Sequence, residues 1–279
     1  MIALTGAGGF IGSVVLGYLN SQGITDVVLF DDLPTGDQYK NLIGKKYISL
    51  HSSEEMFHSP DDVECVIHIG ANSNTLERDW SSLYKTNVLS TRKWNQFCVR
   101  NNIPFIFTSS AAVYGNGNGP LNQYAFSKLT SETEIDGVIL RLFNVYGPNE
   151  YHKGRMASTV YHWYQQEELT LFNNSTNYIR DFIYVEDVAK VIYHFIQNYR
   201  PGTYDVGTGT GVSFDTVADI IGKKKQFVEM PEDLKSQYQT NTCADTKLLE
   251  ASGFNILEMQ SVENGIIKYL SYLKTNTFY

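Results

Sequence analysis

The chain has 279 residues, 42% of them hydrophobic and 19% charged, and a formal net charge of −8. So much apolar material supports a sizeable folded core and excludes a disordered protein, while the acidic balance excludes a general affinity for nucleic acid. With no apolar run near the roughly 18 residues of a membrane helix, and no metal-type or disulfide spacing among Cys65, Cys98 and Cys243, a reduced, metal-free, cytoplasmic protein is expected.

The opening MIALTGAGGF lacks the basic flank and long apolar stretch of a secretory signal. Its first five residues, Met1–Thr5, read instead as a buried strand. Val27–Asp31, Tyr47–Leu50, Cys65–Ile69, Phe105–Ser109 and Val138–Leu142 read the same way. Their continuous apolar character suits a parallel sheet covered on both faces. Between them, Ile11–Ser21, Ser82–Arg100 and Tyr124–Glu134 carry helical patterning. This alternation predicts a Rossmann-type, doubly wound α/β sheet. After Gly147-Pro148 the strands turn short and Tyr, Asn and Gln become dense; Val185–Asn198, Ser213–Ile221 and Val262–Leu273 read as helices. The expected division is a dinucleotide-binding domain over 1–143, to which 181–210 returns, and a smaller substrate lobe from 144–180 and 211–279.

Gly6, Gly9 and Gly12 form a G-x-x-G-x-x-G between the first strand and the helix that follows. Glycine there permits a tight turn and close approach of a pyrophosphate to the helix start, at Phe10 and Ile11, where free N–H groups and the positive dipole end favour an anion. Asp31 ends the next strand, with Asp32 beside it, at the spacing of a ribose-binding acid. The plainer alternative is that the two acids merely open the turn DDLPTG. NAD is the expected cofactor, with NADP second. No Lys or Arg lies between Leu33 and Gln38 to meet a 2′-phosphate, and Lys40 is the nearest candidate.

Tyr124 and Lys128 stand four apart on a predicted helix and share a face. An ammonium beside a phenol lowers its pKa, and such a Tyr can take a proton from a substrate hydroxyl as hydride leaves the adjoining carbon. Composition alone supplies about one Y-x-x-x-K by chance, so the weight lies in its position after the fifth strand, which Ser109 and Ser110 close. His68, at a strand end, reads as a packed core residue. His152 reads as loop support, the aromatics of Tyr161–Tyr164 as helix packing, and Lys223–Lys225 as a solvated turn.

Together with the phrases SSAAVYG (from Ser109), RLFNVYGP (from Arg141) and RDFIYVEDVA (from Arg180), these features resemble the extended short-chain dehydrogenase/reductase family of nucleotide-sugar epimerases and dehydratases. The resemblance spans nearly the whole chain. It implies a tightly held nicotinamide cofactor, a nucleoside-diphosphate sugar as substrate, and self-association into homo-oligomers. It assigns Ser110, Tyr124 and Lys128 as the catalytic triad and Asn87 as support for the lysine. Ala71 and Asn87 fall among its cofactor contacts. Ser73, Asn144, Ser158, Arg180 and Tyr238 fall among its substrate contacts, Arg180 on the diphosphate.

Three details narrow the branch. Dehydratases of the family carry an acid pair after the catalytic hydroxyl, where this chain has Ala111 and Ala112; alanine exchanges no proton. The segment EYHKGRMAS (from Glu150) resembles the heptose 6-epimerase branch, as do HIGANSNT (from His68) and MPEDLKSQYQ (from Met230). In that branch the lysine matching Lys153 is a second acid/base across the sugar from the tyrosine. The stretches Gly115–Gln123 and Glu132–Gly137 are shorter than that branch usually has. An isomerase that inverts a sugar carbon through a transient ketone is therefore expected. The rivals are a hexose 4-epimerase and a non-catalytic dinucleotide-binding protein.

Overall fold

The structure, a computed structural model, describes residues 1–34, 36–56, 62–235, 238–275, 277 and 279. Strand β1 (Ile2–Thr5) leads through the glycine turn into α1 (Phe10–Ser21), followed by β2 (Val27–Phe30), β3 (Ser49–His51) and β4 (Cys65–His68). Next come α2 (Trp80–Leu83), a π-helical turn (Tyr84–Leu89) and α3 (Ser90–Asn101). Then β5 (Phe105–Ser110), α4 (Gln123–Glu132) and β6 (Val138–Leu142) complete the first half.

The second half runs β7 (Asn144–Tyr146), α5 (Thr159–Gln165), β8 (Leu169–Phe172), β9 (Ile179–Tyr184) and α6 (Val185–Gln197). After β10 (Gly202–Val206), β11 (Gly211–Ser213) and α7 (Phe214–Ile221) come β12 (Lys225–Val228), α8 (Glu232–Lys235), β13 (Asn241–Thr242), α9 (Lys247–Ala251) and α10 (Val262–Thr275). Among the described residues no helix is long and apolar enough to cross a membrane.

Seven parallel strands form the main sheet in the order β10-β6-β5-β4-β1-β2-β3. The chain therefore winds outward both ways from β1 and β4, and the crevice at their carboxyl ends is where ligands of such sheets bind. Every residue of β1, β2 and β4 is buried. Helices α1 and α6 cover one face around Leu16, Leu29 and Ile192, and α3 covers the other around Trp94 and Phe105. Burial on both faces is why these strands are apolar throughout rather than alternating.

The smaller lobe is built on β9. Its first half pairs with β11 and β13, and its second half with β7; β8 and β12 form a separate parallel pair. Trp163, Val217 and Tyr269 fill this lobe's core, so the α5 aromatics do pack, as their spacing predicts.

Three expectations need correction. The helix read over Ser82–Arg100 is broken by the π turn. There the Asn87 carbonyl accepts the Thr91 hydroxyl at 2.5 Å and the Ser131 hydroxyl at 3.0 Å, and these buried donors compete with the regular ladder. The third strand begins at Ser49, leaving Tyr47 and Ile48 on the exposed sheet edge. The Lys223–Lys225 run is not a solvated turn. Lys223 donates to the carbonyls of Trp163, Tyr164 and Gln166, ending α5, and Lys225 lies in β12 and pairs with Asp215 and Asp219.

Candidate active site

The glycine turn is obligatory here. Gly6 has a φ of +68°, and a Cβ on it would stand 2.6 Å from the Gly70 nitrogen. A Cβ on Gly12 would stand 2.1 Å from the Gly6 carbonyl oxygen. Only glycine lets β1, α1 and the end of β4 meet this closely. Helices α4, α5 and α7 are capped by the side chains of Asn122, Ser158 and Ser213, whereas the cap of α1, Gly9, brings no side-chain bond. The first N–H groups of α1, at Phe10, Ile11 and Gly12, have no acceptor within the helix and suit the pyrophosphate of a dinucleotide.

Asp31 accepts from the Gly8 nitrogen at 2.9 Å and the Leu33 nitrogen at 2.8 Å, and burial raises its pKa. Its carboxylate therefore stands beside the turn. Asp32 is held elsewhere: it accepts from the Ser52 hydroxyl at 2.8 Å, the Ser53 nitrogen at 2.9 Å and the Ser53 hydroxyl, which hold it below the usual carboxylate range. Of the two acids only Asp31 stands at the glycine turn, while Asp32 ties the ends of β2 and β3 together.

Two strands from β1 in the same sheet, Ser110 ends β5, and Tyr124 lies in the first turn of α4. The Tyr124 phenol is buried and its hydroxyl bonds to Ser110; burial raises its pKa and the Ser110 bond opposes that. Lys128 is buried one turn along. Its amine donates to the Thr108 carbonyl at 2.9 Å and lies 4.7 Å from the Phe107 ring centre, and burial pushes its pKa down to about 8. The sequence reading made the ammonium the stabiliser of the phenolate. In the structure the hydrogen bond to the phenol comes from Ser110, and the buried Lys128 amine meets the strand carbonyl of Thr108.

Asn87 lies beside the same helix, one residue's reach from Lys128. Its side chain bonds to the backbone of Asn72 and to the Ser127 hydroxyl at 2.8 Å. It reaches α4 at Ser127, the neighbour of Lys128. His68 is a core residue, bonded to the hydroxyls of Thr5 at 2.8 Å and Thr91 at 3.0 Å. Burial lowers its pKa from 6.5 to about 3. The unfolded chain then binds this proton more readily, so the stability from neutral His68 is full above about pH 6.5 and is lost toward pH 3. Denaturant midpoints are expected to fall between pH 7 and pH 4, and to fall less in His68→Gln.

Lys153 lies in a 3₁₀ segment, Tyr151–Met156, that follows β7. Its amine sits 5.3 Å from the ring centre of Phe10, the first residue of α1, and burial lowers its pKa. Asn41 fastens this segment to the glycine turn, donating to the carbonyls of Gly8 at 3.0 Å and Asn149 at 3.2 Å and meeting His152 Nδ1 at 3.3 Å. His152 is thus loop support. Across the gap, the Thr75 hydroxyl reaches Met156 Sδ at 3.9 Å, placing the loop of Ala71 and Ser73 beside the Lys153 segment.

The remaining predicted contacts are mixed. Asn144 is exposed at the start of β7, and Ser73 is exposed too. The Ser158 hydroxyl donates to Glu150 at 2.6 Å and accepts from the Tyr161 nitrogen, so it serves the loop before any substrate. Arg180 is buried, stacked 5.5 Å from the Phe214 ring centre and 5.0 Å from that of Tyr238. Its guanidinium donates to the carbonyls of Ile179, Gln239 and Thr240 rather than to a carboxylate. Ser236 and Gln237, part of the stretch read with Tyr238, lie outside the described residues.

Two features went unread in the sequence. Glu132 accepts from Ser109 and from Arg141, Arg141 donates to the Tyr114 hydroxyl at 2.8 Å, and Tyr114 donates to Asp205 at 2.6 Å. This chain of contacts braces the turn after Ser110, and only the spacing of Glu132 four residues past Lys128 hinted at it. Glu150, the second feature, is a buried carboxylate at the base of the Lys153 segment.

The chain matches the NAD dependent epimerase/dehydratase family over residues 2–207. It is 35% identical to the ADP-L-glycero-D-manno-heptose-6-epimerase of Brachyspira hyodysenteriae, in an alignment covering 100% of this chain and 99% of that relative. The crystal structure of the Helicobacter pylori enzyme of the same name superposes with a TM-score of 0.81 at 25% identity, covering 98% of this chain and 96% of the other. The UDP-glucuronic acid 4-epimerase of Bacillus cereus, solved with NAD, shares the fold at a TM-score of 0.82 and 22% identity, covering 99% of both chains.

Proposed function

The chain belongs to the NAD-dependent epimerase/dehydratase family, and on that premise we propose that it inverts C6 of an ADP-activated glycero-manno-heptose through a transient ketone. It is an isomerase that uses NAD. The observation that carries the finer reading is Lys153, half-buried with its amine 5.3 Å from the ring centre of Phe10, the first residue of the cofactor helix, in a chain alike end to end to a heptose 6-epimerase. Ala111 and Ala112, directly after Ser110, offer no acid for expelling water, so dehydration is not the outcome.

The α1 amino end and Asp31 hold the dinucleotide, with Ala71 and Asn87 on the loop and helix beside it. When bound, the dinucleotide would supply a reversible hydride acceptor for the sugar carbon, with no net redox change over the cycle. Tyr124 takes the proton from the sugar hydroxyl, and Ser110 holds the reacting oxygen and steadies the phenolate. Lys128 supplies a buried positive charge one helical turn below. Lys153 gives the proton to the ketone oxygen once the other face is presented, since one fixed phenol cannot reach both orientations. Arg180 meets no carboxylate among the described residues, which leaves its charge for the diphosphate. Asn144, Ser73, Ser158 and Tyr238 complete the substrate lobe. Self-association and a reduced cytoplasmic setting belong to the same reading; the latter suits the free thiols of Cys65, Cys98 and Cys243.

Substrate choice tests this proposal directly. Turnover is expected with the ADP-glycero-manno-heptoses; turnover restricted to UDP-hexoses would make the protein a 4-epimerase, and binding of NAD without turnover of any sugar nucleotide would make it a binder. The cofactor is a second check. A 2′-phosphate would face the Asp31 carboxylate, and Lys40, the nearest cation, is already paired with Asp37 at 2.7 Å. Cofactor released by denaturing the purified protein is expected to be mainly NAD; mainly NADP would overturn the assignment to Asp31.

A further inference from the structure

Glu150 is a buried carboxylate in the smaller lobe, just before the segment that carries Lys153. It is 1% exposed. It accepts from the Gly147 nitrogen at 3.3 Å, from the Ser158 hydroxyl at 2.6 Å and from the Ser158 nitrogen. The Tyr269 hydroxyl of α10 bonds to it as well. Gly147 and Ser158 are the two mouths of the loop that carries Lys153, and Ser158 is the cap of α5. One carboxylate therefore closes the loop at both ends and fastens it to α5 and α10. The Glu150 carbonyl also accepts from the Lys153 nitrogen at 2.9 Å, which fixes the turn between them.

No Lys or Arg pairs with Glu150 among the described residues, although a buried carboxylate is costly without a positive partner. Hydrogen bonds to N–H and O–H groups offset part of that cost, and the cation that remains is Lys153. Burial raises the Glu150 pKa and lowers that of Lys153, and each group opposes the other's shift: the carboxylate favours the ammonium form of Lys153, and the ammonium favours the ionised form of Glu150. The other groups in reach are few. Lys153 faces the Phe10 ring of α1 and its neighbour His152, which burial and Lys153 hold uncharged. Glu150 faces the phenols of Tyr161 on α5 and Tyr269 on α10. Neither phenol carries charge near neutrality, since both are raised by burial.

We propose that Glu150 is a positioning residue for Lys153, shaping the loop that presents it and supplying the counter-charge that keeps it protonated between half-reactions. This rests on the reading of Lys153 as an acid/base group. The role has a signature that simple loop support lacks. Removing the charge while keeping the shape withdraws an opposite charge from a half-buried amine, so the Lys153 pKa falls. A lysine with a lower pKa keeps its proton over a narrower range, and the limb of the kcat–pH profile that reports it moves to lower pH.

The test uses the full-length protein and its Glu150→Gln, Glu150→Asp and Lys153→Met variants. Lysine side-chain NMR titration, with the Lys153 signal identified by its absence in Lys153→Met, reads the pKa without any need for turnover. Glu150→Gln is expected to lower it by about one unit, to shift the matching kcat limb by a similar amount, and to leave KM for the sugar nucleotide within about twofold. Glu150→Asp, which retains the charge, is expected to restore most of the lost pKa even where the altered loop lowers kcat. An unchanged Lys153 pKa in Glu150→Gln would overturn the proposal. So would an equal loss of kcat in both variants with no shift in pH. Failure of the underlying reading looks different: Lys153→Met would then retain turnover, whatever Glu150 does to the amine.

Discussion

Tyr124→Phe is expected to lower turnover by about 10² to 10⁴-fold, the usual contribution of a positioned acid/base group, while the protein keeps its bound NAD. The substitution removes one oxygen from a side chain that is already buried against the sheet, so the packing that shapes the cofactor turn stays in place. What disappears is the acceptor for the sugar hydroxyl proton, together with the Ser110 bond that steadies the phenolate. The separation is the informative part. Loss of both turnover and NAD would mark a structural residue, and near-normal turnover would show that another group takes the proton. Absorbance of the bound cofactor, read beside single-turnover kinetics, distinguishes these outcomes.

Lys153→Met is expected to have an effect of similar size, about 10² to 10⁴-fold on kcat, with affinity for the sugar nucleotide little changed. Methionine preserves length and the contact with Phe10 but cannot carry a proton. The competing role for this lysine is a point charge on the diphosphate. That role makes the opposite prediction, a raised KM with normal turnover at saturation. Isothermal titration with the nucleotide sugar and steady-state rates on the same preparation decide between them.

The first half of the fold was legible because its strands are buried on both faces, and continuous apolar runs mark them. The glycine turn, Asp31, Ser110 and Tyr124 were legible for a related reason: each lies at a strand end or helix start, where spacing from the apolar run sets position. The smaller lobe was not. Strand β9 draws its partners β7, β11 and β13 from distant parts of the chain in runs of two or three residues, too short for periodicity to show.

The same distinction separates the site residues. The spacing of Lys128 from Tyr124 gave the shared helix face but not the direction of the amine, because its acceptor is a backbone carbonyl of another element, at Thr108. Asp32 looked equivalent to Asp31 until the β2–β3 register set Phe30 opposite His51 and brought Ser52 and Ser53 onto its carboxylate. Glu150 stood only as the first residue of the EYHKGRMAS segment, and its bonds were not legible, since its partners Ser158 and Tyr269 meet it only when the lobe has folded.

Inversion is expected to proceed by hydride transfer within a closed cofactor cycle. It is tested most directly by incubating the purified protein, without added cofactor, with one ADP-glycero-manno-heptose epimer in heavy water and following C6 by NMR. A hydrogen that leaves and returns as hydride never meets solvent, so the account predicts a mixture of both C6 epimers with no deuterium at C6 and no accumulation of reduced cofactor. Deuterium appearing at C6 with inversion would contradict it, by showing that the carbon loses a proton instead.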